Sequence, residues 1–254
     1  MQAVILAAGQ GRRLADPRGR PKCLREVGGA PLVRHQLDAL AALGVDDVVI
    51  VVGFGQDQIR ESVGTRVRYV VNDRFAETNS MYSFLLARSL VHDDVLVMNS
   101  DLFFHPALVA RLLDHDGDAL LYDSGSGEEE EQMKVRVAHG RLVEMSKALP
   151  NDLVCGENVG MLHLAPATVE DAFAAARAIA AHGGERAWLA SAINRVAIDH
   201  RIRCLDVVGW PWVEIDFPED LQRARTEVLP QVAGGLGRSE PAFSRSAYSV
   251  GSRS

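Results

Sequence analysis

Two glycines and five cations crowd one short stretch of the chain: Gly9 and Gly11, then Arg12, Arg13, Arg18, Arg20 and Lys22, with Asp16 the one acid among them. Glycines let backbone N–H groups approach a ligand closely, and they tolerate the positive-φ turns that wrap it. Fixed cations on the same loop suit a ligand carrying several negative charges. The chemistry offered is the cradling of a polyphosphate. The net charge of the chain is −7, so this basic patch is local and runs against the background.

Carboxylates in two other places complement it. Asp101 follows the apolar run Val95-Leu96-Val97-Met98, and Asp216 sits in Trp212-Val213-Glu214-Ile215-Asp216-Phe217-Pro218-Glu219-Asp220. A carboxylate beside a phosphate site repels the phosphates unless a cation lies between them. Mg²⁺ takes one or two carboxylates plus phosphate oxygens and water, so Asp101 and Asp216 are candidate ligands for one Mg²⁺. Each also has a purely structural reading. Asp101 suits a cap or turn ahead of Pro106, and Asp216 with Glu219 suits a capping box. Glu214 is the spare candidate, because it shares a strand face with Asp216.

The elements that must position these residues alternate. Ala3 to Ala8 is an apolar run of the kind that forms a buried parallel strand, and the glycine loop breaks it. A helix is expected over Pro31 to Leu43, with Val33, Leu37 and Leu40 on one face and Gly44 as its stop. Strands follow at Asp47–Val52, Val67–Val71, Val95–Met98 and Ala119–Tyr122, with helices at Gln56–Val63, Asn79–Leu90 and Pro106–His115 between them. Asn79 or Thr78 suits the cap of the second of these helices. The pattern predicts an α/β, Rossmann-like, mostly parallel sheet with helices on both faces. Gly11 and Asp101 should then emerge at its carboxyl edge, where open sheets of this type bind ligands. Asp216 is expected at that edge too, each aspartate preceding a proline-started helix.

The pattern changes after Asp123. Ser124 to Gly127 reads as a flexible turn and Glu128 to Glu131 as a solvated acidic run. Short strands are expected at Met133–Val137, Leu142–Met145, Asn158–Leu164 and Arg201–Val208, a small β-rich acceptor-binding insertion. Helices are expected at Ala165–Ala181, Glu185–Val196 and Phe217–Thr226. Residues 1–233 then make one domain, with 1–122 as the nucleotide-binding half and 123–233 as the acceptor-binding half. Residues 234–254 are rich in Gly, Ser and Arg and read as a disordered tail.

Composition narrows the class. A 254-residue chain with 47% hydrophobic and 24% charged residues is ordinary for a folded soluble protein. The acidic balance argues against general nucleic-acid binding. Cys23, Cys155 and Cys204 are far apart and form no C-x-x-C pair, which fits a reducing cytoplasm and gives no zinc site. No stretch has the look of a signal segment or a membrane span. The glycine loop departs from the dinucleotide pattern G-x-G-x-x-G, with Leu14 where the third glycine should stand. It also lacks the G-K-[ST] of a P-loop. A tight turn with solvated arginines is the plain alternative.

The longer string L-A-A-G-x-G-x-R-L, with Pro21-Lys22 following, resembles the signature of nucleotidyltransferases that join a nucleoside triphosphate to a phosphorylated small molecule. Asn72-Asp73-Arg74-Phe75-Ala76-Glu77-Thr78-Asn79-Ser80-Met81-Tyr82-Ser83, Met133-Lys134-Val135, Ser146-Lys147 and Glu214-Ile215-Asp216 narrow the likeness. Over about residues 1–227 the chain resembles the small cytidylyltransferases related to CTP:phosphocholine cytidylyltransferase, within the sugar-phosphate nucleotidyltransferase group. That resemblance implies a nucleotide-diphospho-sugar transferase type of fold, and CTP as donor. It implies Leu6, Ala7, Ala8, Gly9, Gly11, Arg12, Arg13, Lys22, Asn79 and Ser80 at the nucleotide. Arg12, Lys22, Asp101 and Asp216 would carry catalysis, the two aspartates through Mg²⁺. Lys134, Lys147, Glu157, Asn158 and Trp212 would meet the acceptor. Asn99-Ser100-Asp101 lacks the second acid that relatives often carry before the metal aspartate.

The reaction so implied transfers CMP from CTP to a phosphorylated or phosphonylated small molecule, such as phosphocholine or an aminoalkyl or hydroxyalkyl phosphonate, and releases pyrophosphate. A sugar-1-phosphate or inositol-phosphate transferase using CTP, UTP or dTTP is the alternative. A catalytically silent nucleotide-binding subunit is a reading of another class. Trp188, Trp210 and Trp212 offer either a cation–π box for a quaternary ammonium or plain packing. A cytoplasmic location is expected, with no nucleic-acid or membrane partner, and a homodimer is compatible with the sequence.

Overall fold

The computed structural model describes residues 1–14, 16, 19–126 and 131–234. In chain order the strands are β1 (Gln2–Ala7), β2 (Glu26–Val27), β3 (Ala30–Pro31), β4 (Val48–Val52), β5 (Arg68–Val71), β6 (Val95–Asn99) and β7 (Leu102–Phe104). They continue as β8 (Ala119–Asp123), β9 (Lys134–Ala138), β10 (Arg141–Ser146), β11 (Gly156–Leu164), β12 (Arg203–Asp206) and β13 (Trp212–Glu214). The helices are α1 (Leu32–Ala42), α2 (Gln56–Val63), α3 (Ser80–Leu86), α4 (Ala107–Leu113), α5 (Pro166–Ala181), α6 (Leu189–Val196), α7 (Pro218–Arg223) and α8 (Leu229–Ala233).

One nine-stranded sheet runs in the order β5-β4-β1-β6-β11-β8-β12-β10-β9. The first four strands of that order are parallel. β11 runs antiparallel to both β6 and β8, and β12 is parallel to β8. β10 is antiparallel to β12 and β9. β9 then returns to pair with the start of β11 at Gly156 and Glu157. The expected β-rich insertion is thus not separate: its strands continue the main sheet. Only β10 and β11 oppose the direction of the other sheet strands among the described residues.

Alternation within the buried strands fills both faces. Ala3, Ile5, Ile50, Val52, Leu96 and Met98 join Leu37, Leu40 and Leu108 from α1 and α4. Val4, Val49, Val51, Val95 and Val97 point the other way, onto Phe84, Phe173 and Ile193 from α3, α5 and α6. Strands buried on both faces read as continuous apolar runs for this reason. A smaller cluster gathers Leu14, Phe103, Val213, Ile215 and Val228 beneath the C-terminal helices.

Four expectations need correction. The Asn79–Leu90 helix is α3 followed by a 3-10 turn at Ala87–Leu90, capped by the Asn79 side chain, which accepts from the Ser80 N–H at 2.8 Å. The helix expected from Glu185 begins only at Leu189. Glu185 instead receives both Arg74 guanidinium nitrogens, at 2.7 and 3.0 Å, and ties that stretch to the 74–80 loop. The C-terminal helical stretch runs past Thr226 to Ala233, because Val228 and Leu229 pack on the third cluster. Asp101 does not lead directly to a proline-started helix: β7 intervenes. The Gly234–Ser254 reading falls, from residue 235 onward, outside the described residues, as do Arg18 and Glu128 to Glu130.

Candidate active site

β4 lies on one side of β1 and β6 on the other. Chain order therefore reverses at the β1/β6 boundary, the place where open α/β sheets leave a crevice at their carboxyl ends. A cavity of about 290 Å³ opens there. Leu6, Ala7, Ala8, Gly9 and Gly11 line its floor, with Asn79 and Ser80 from the start of α3 on one wall. Ser100 N–H donates to the Leu6 carbonyl at 3.3 Å, which locks the two strand ends together.

The two aspartates meet by a route the sequence did not reveal. β7 and β13 form a separate antiparallel ribbon with Glu214 opposite Leu102. Continuing that register sets Ile215 beside Asp101, and Ile215 N–H donates to the Asp101 carbonyl at 3.0 Å. Asp216 therefore arrives on this ribbon and not from a strand of the main sheet. Gln36, buried on α1, holds the preceding turn by donating to the carbonyls of Asn99 and Leu102, both at 3.0 Å.

Lys22 lies between the two acids. Its Nζ is 3.1 Å from Asp101 Oδ2 and bonds Asp216 Oδ1 as well. Burial works against the ammonium, but the two carboxylates outweigh it and hold its pKa above the ordinary lysine value. Gly11, at φ +57°, makes the approach workable, since a Cβ there would lie 2.5 Å from Lys22 Cγ. Behind the pair, burial and then the charges of Asp101 and Asp216 push the Glu214 carboxyl up to about 8. Asn99 Nδ2 donates to it at 3.3 Å. Cys23 is buried beside the loop, which pushes its thiol up to about 12 and makes it a poor nucleophile.

Asp216 is not the helix cap. Phe217 is the N-cap, and Asp220, inside the first turn, accepts from the N–H groups of Asp216 at 3.0 Å and Phe217 at 2.8 Å. The Asp216 carboxylate is left for Lys22 and for Arg13, whose guanidinium donates to Oδ2 at 2.6 Å.

The basic loop divides its cations. Arg13 and Lys22 line the cavity. Arg12 is exposed, donates to Gln10 Oε1 at 2.6 Å and stands outside the cavity lining. Arg20 turns away to Asp16 at 2.8 Å. At the far end Lys147 and Asn158 line the cavity together with Trp188, the ammonium lying 4.9 Å from the centre of the indole. Lys134 is buried and donates to Asn151 Oδ1 at 3.3 Å, away from the lining. Glu157 and Trp212 line a neighbouring cavity of about 450 Å³ with Trp210. Trp212 Nε1 donates to Asp123 Oδ2 at 2.8 Å. The three tryptophans therefore do not converge on one box.

Two contributors escaped the sequence. Asn72 is buried and donates to Thr78 Oγ1 and Ser83 Oγ, both at 3.0 Å, shaping the loop that presents Asn79. Its place in the Asn72–Ser83 segment was the available signal. Glu131, taken as the end of a solvated run, accepts from Arg13 at 2.7 Å and from Lys147 at 3.3 Å on the same oxygen. Those hydrogen bonds, Arg13 first, hold its carboxyl below the usual range.

A glycine loop at the switch point of an open sheet, with a lysine and two facing acids, defines the class: an α/β domain built to hold a phosphorylated nucleotide. The chain belongs to the MobA-like NTP transferase domain family, whose model matches residues 3–196. It is 42% identical over 118 residues to the CMP-5'-(3-aminopropyl)phosphonate synthase of Streptomyces rubellomurinus, covering 44% of this chain and 19% of that protein. A bifunctional IPC transferase and DIPP synthase of Rubrobacter xylanophilus is 32% identical across 92% of this chain and 53% of its own length. The choline-phosphate cytidylyltransferase of Streptococcus pneumoniae is 37% identical across 41% and 46% respectively. The chain thus spans about half or less of each of these relatives. The inositol-1-phosphate CTP transferase of T. maritima superposes with a TM-score of 0.72 at 21% identity, covering 89% of this chain and 97% of that one. The likeness to that structure is one of fold, the nucleotide-diphospho-sugar transferase fold. Among the described residues no helix is long and apolar enough to cross a membrane.

Proposed function

We propose that this chain is a Mg²⁺-dependent cytidylyltransferase, moving CMP from CTP to a phosphorylated or phosphonylated small molecule and releasing pyrophosphate. The observation that carries this reading is one cavity with two charged ends. The glycine loop, Lys22, Asp101 and Asp216 stand at one end and Lys147 at the other. The cytidyl donors in the names of the sequence relatives support CTP over other nucleotides.

An oxygen of the acceptor's phosphate or phosphonate attacks the α-phosphorus of CTP in line. The bond to the β-phosphate breaks, and pyrophosphate leaves with that electron pair. A phosphate monoester has a second pKa of about 6, so its nucleophile is already ionised near neutrality and no general base is required. The protein's task is to bring two anions together and to stabilise charge on the departing pyrophosphate. Lys22 and the amides around Gly9 and Gly11 serve the triphosphate. Arg12 joins them by a side-chain rotation from its exposed position. Lys147 offsets the repulsion met by the incoming acceptor, and Asn158 lines its path.

The residues fit Mg²⁺. Asp101 and Asp216 already converge on one cationic group, and Asp101 Oδ1 is buried with no hydrogen-bond partner. Two carboxylates completed by phosphate oxygens and water suit this hard cation. Asp101 and Asp216 would hold it, and when bound it would neutralise charge on the phosphates. The free thiols of Cys23, Cys155 and Cys204 suit a reducing cytoplasm.

A pyrophosphate-release screen tests the reading. Four NTPs are crossed with phosphocholine, 2-aminoethylphosphonate, a hydroxyalkylphosphonate, inositol phosphate and sugar 1-phosphates, with and without Mg²⁺. CTP with a phosphorylated or phosphonylated acceptor is expected to turn over fastest, and only with Mg²⁺. Faster turnover with UTP or dTTP and a sugar 1-phosphate would replace it with the sugar-transferase reading.

A further inference from the structure

Glu131 places a carboxylate where two cations from distant parts of the chain converge. Its Oε2 accepts from Arg13, on the loop after β1, at 2.7 Å and from Lys147, just past β10, at 3.3 Å. Arg13 uses its other nitrogen on Asp216 at 2.6 Å. An anionic oxygen at this point is therefore one guanidinium away from the Lys22–Asp101–Asp216 cluster. Trp188 backs the Lys147 ammonium at 4.9 Å, which limits where it can turn. Glu131 itself is the most exposed of the three, with 60% of its side chain open to solvent.

We propose that the Glu131 carboxylate stands in for the anionic head of the acceptor. Arg13 and Lys147 are the clamp that receives this head, and Glu131 leaves the clamp when the acceptor binds. The proposal rests on the transferase reading and assigns Arg13 to the acceptor as well as to the donor end. A carboxylate brings one negative charge to the two cations. A phosphonate or phosphate monoester brings up to two, with three oxygens, and takes both donors without the cost of holding a long side chain in place. The clamp therefore favours a dianionic head over a monocarboxylate. Exposed ion pairs are weak, so the resident acid is displaced easily while it keeps the two cations from repelling each other until the acceptor arrives.

The test is a calorimetric titration of the full chain with methylphosphonate, without nucleotide, so that it does not depend on CTP being the donor. Glu131→Gln removes the charge and keeps the shape. It is expected to bind methylphosphonate roughly 3- to 10-fold tighter than the parent, the factor set by losing two weak exposed pairs. In a Lys147→Gln background the same substitution should give no gain. The KM for the preferred acceptor should fall by the same factor in Glu131→Gln. Unchanged or weaker binding by a Glu131→Gln protein that melts like the parent would overturn the proposal. So would a gain that persists without Lys147, or no measurable binding to either protein. Failure of every NTP and acceptor to react, with the methylphosphonate gain intact, would sink the transferase reading and leave the clamp standing.

Discussion

The two ends of the cavity are built from different materials. At the donor end the groups are backbone amides, two aspartates and Lys22, carried by the segments that follow β1, β6 and β13. Lys22 and Asp101 are only 14% and 18% exposed. At the acceptor end the groups are long side chains on strand ends and loops, with Lys147 at 29% and Glu131 at 60%. The backbone that carries the first arrangement is held by core packing around Ile5, Met98 and Ile215. The second can be rewritten one side chain at a time. Side chains at the acceptor end can then change without moving the backbone that carries the glycine loop. Deletions at the donor end should therefore act on kcat and those at the acceptor end on KM.

The largest effect is expected from Asp216→Asn. Phe217 and Asp220 close the start of α7 between them, so the helix does not need the Asp216 carboxylate, and Asn is a poorer ligand for a hard cation because it lacks the charge. Pyrophosphate release at ordinary Mg²⁺ should fall by about 10³ or more, in the range of losing a preorganised electrostatic group. Adding Asp101→Asn should make it little worse, since groups acting as a unit are not additive. The melting temperature should stay near that of the parent. Near-normal turnover would remove Asp216 from the donor end and make Glu214 the next residue to test.

Gly11→Ala against Gly9→Ala sharpens the same contrast. Gly11 has a positive φ, and a methyl there would meet the Lys22 stem. The variant should lose roughly 10²–10³ in rate, as for removal of the Lys22 charge. It should also lose about 1–3 kcal/mol of stability from the strained backbone. Nothing lies within 4 Å of a Cβ at Gly9, and its φ is not positive. Gly9→Ala should melt within a degree or two of the parent. Equal melting of the two variants would show that Gly11 is not a built approach for Lys22.

The same contrast decided what the sequence disclosed. The parallel strands are apolar on both faces, so Val48–Val52 and Val95–Asn99 were legible to within a residue. The glycine loop broke such a run and carried its own signature. Asp101 followed from it, because a strand of known direction delivers its next residues to a known edge. The route of Asp216 was hidden, because the β7–β13 ribbon is three residues long on each side and too short for any periodicity. Glu131 was hidden for another reason. An acidic run next to Gly and Ser looks solvated, and only the fold shows Arg13 and Lys147 waiting on either side. Lys134 was named only through the family resemblance; the structure buries it on Asn151, away from the cavity lining.

Lys147→Ala probes the acceptor end. Its ammonium is partly exposed and held by Glu131 and Trp188. Losing one charge-assisted contact in such a setting should raise the acceptor KM about tenfold, with CTP affinity unchanged in a direct titration. A matching loss of CTP binding would put Lys147 on the triphosphate and dissolve the division between the two ends.

The smallest effect separates the tryptophans. Trp188 lines the main cavity beside Lys147, while Trp212 lines the neighbouring one and packs on the core with its Nε1 on Asp123. Trp212→Phe keeps an aromatic side chain but removes the Nε1 hydrogen bond and part of the indole's packing, so stability should fall by roughly 1–3 kcal/mol. The acceptor KM should stay within about twofold, because the substitution removes nothing from the main cavity. Trp188→Ala should raise that KM about three- to fivefold, as the loss of a weak cation–π brace for Lys147 implies, with little change in melting, since the ring is already 44% exposed. The order of the two KM effects is the informative quantity. If Trp212→Phe proved the more damaging for the acceptor, the acceptor would extend past Glu131 into the second cavity, among Glu157, Asp123 and Trp210. The acceptor end would then be partly buried and rigid, and the contrast between the two ends would hold only for its mouth.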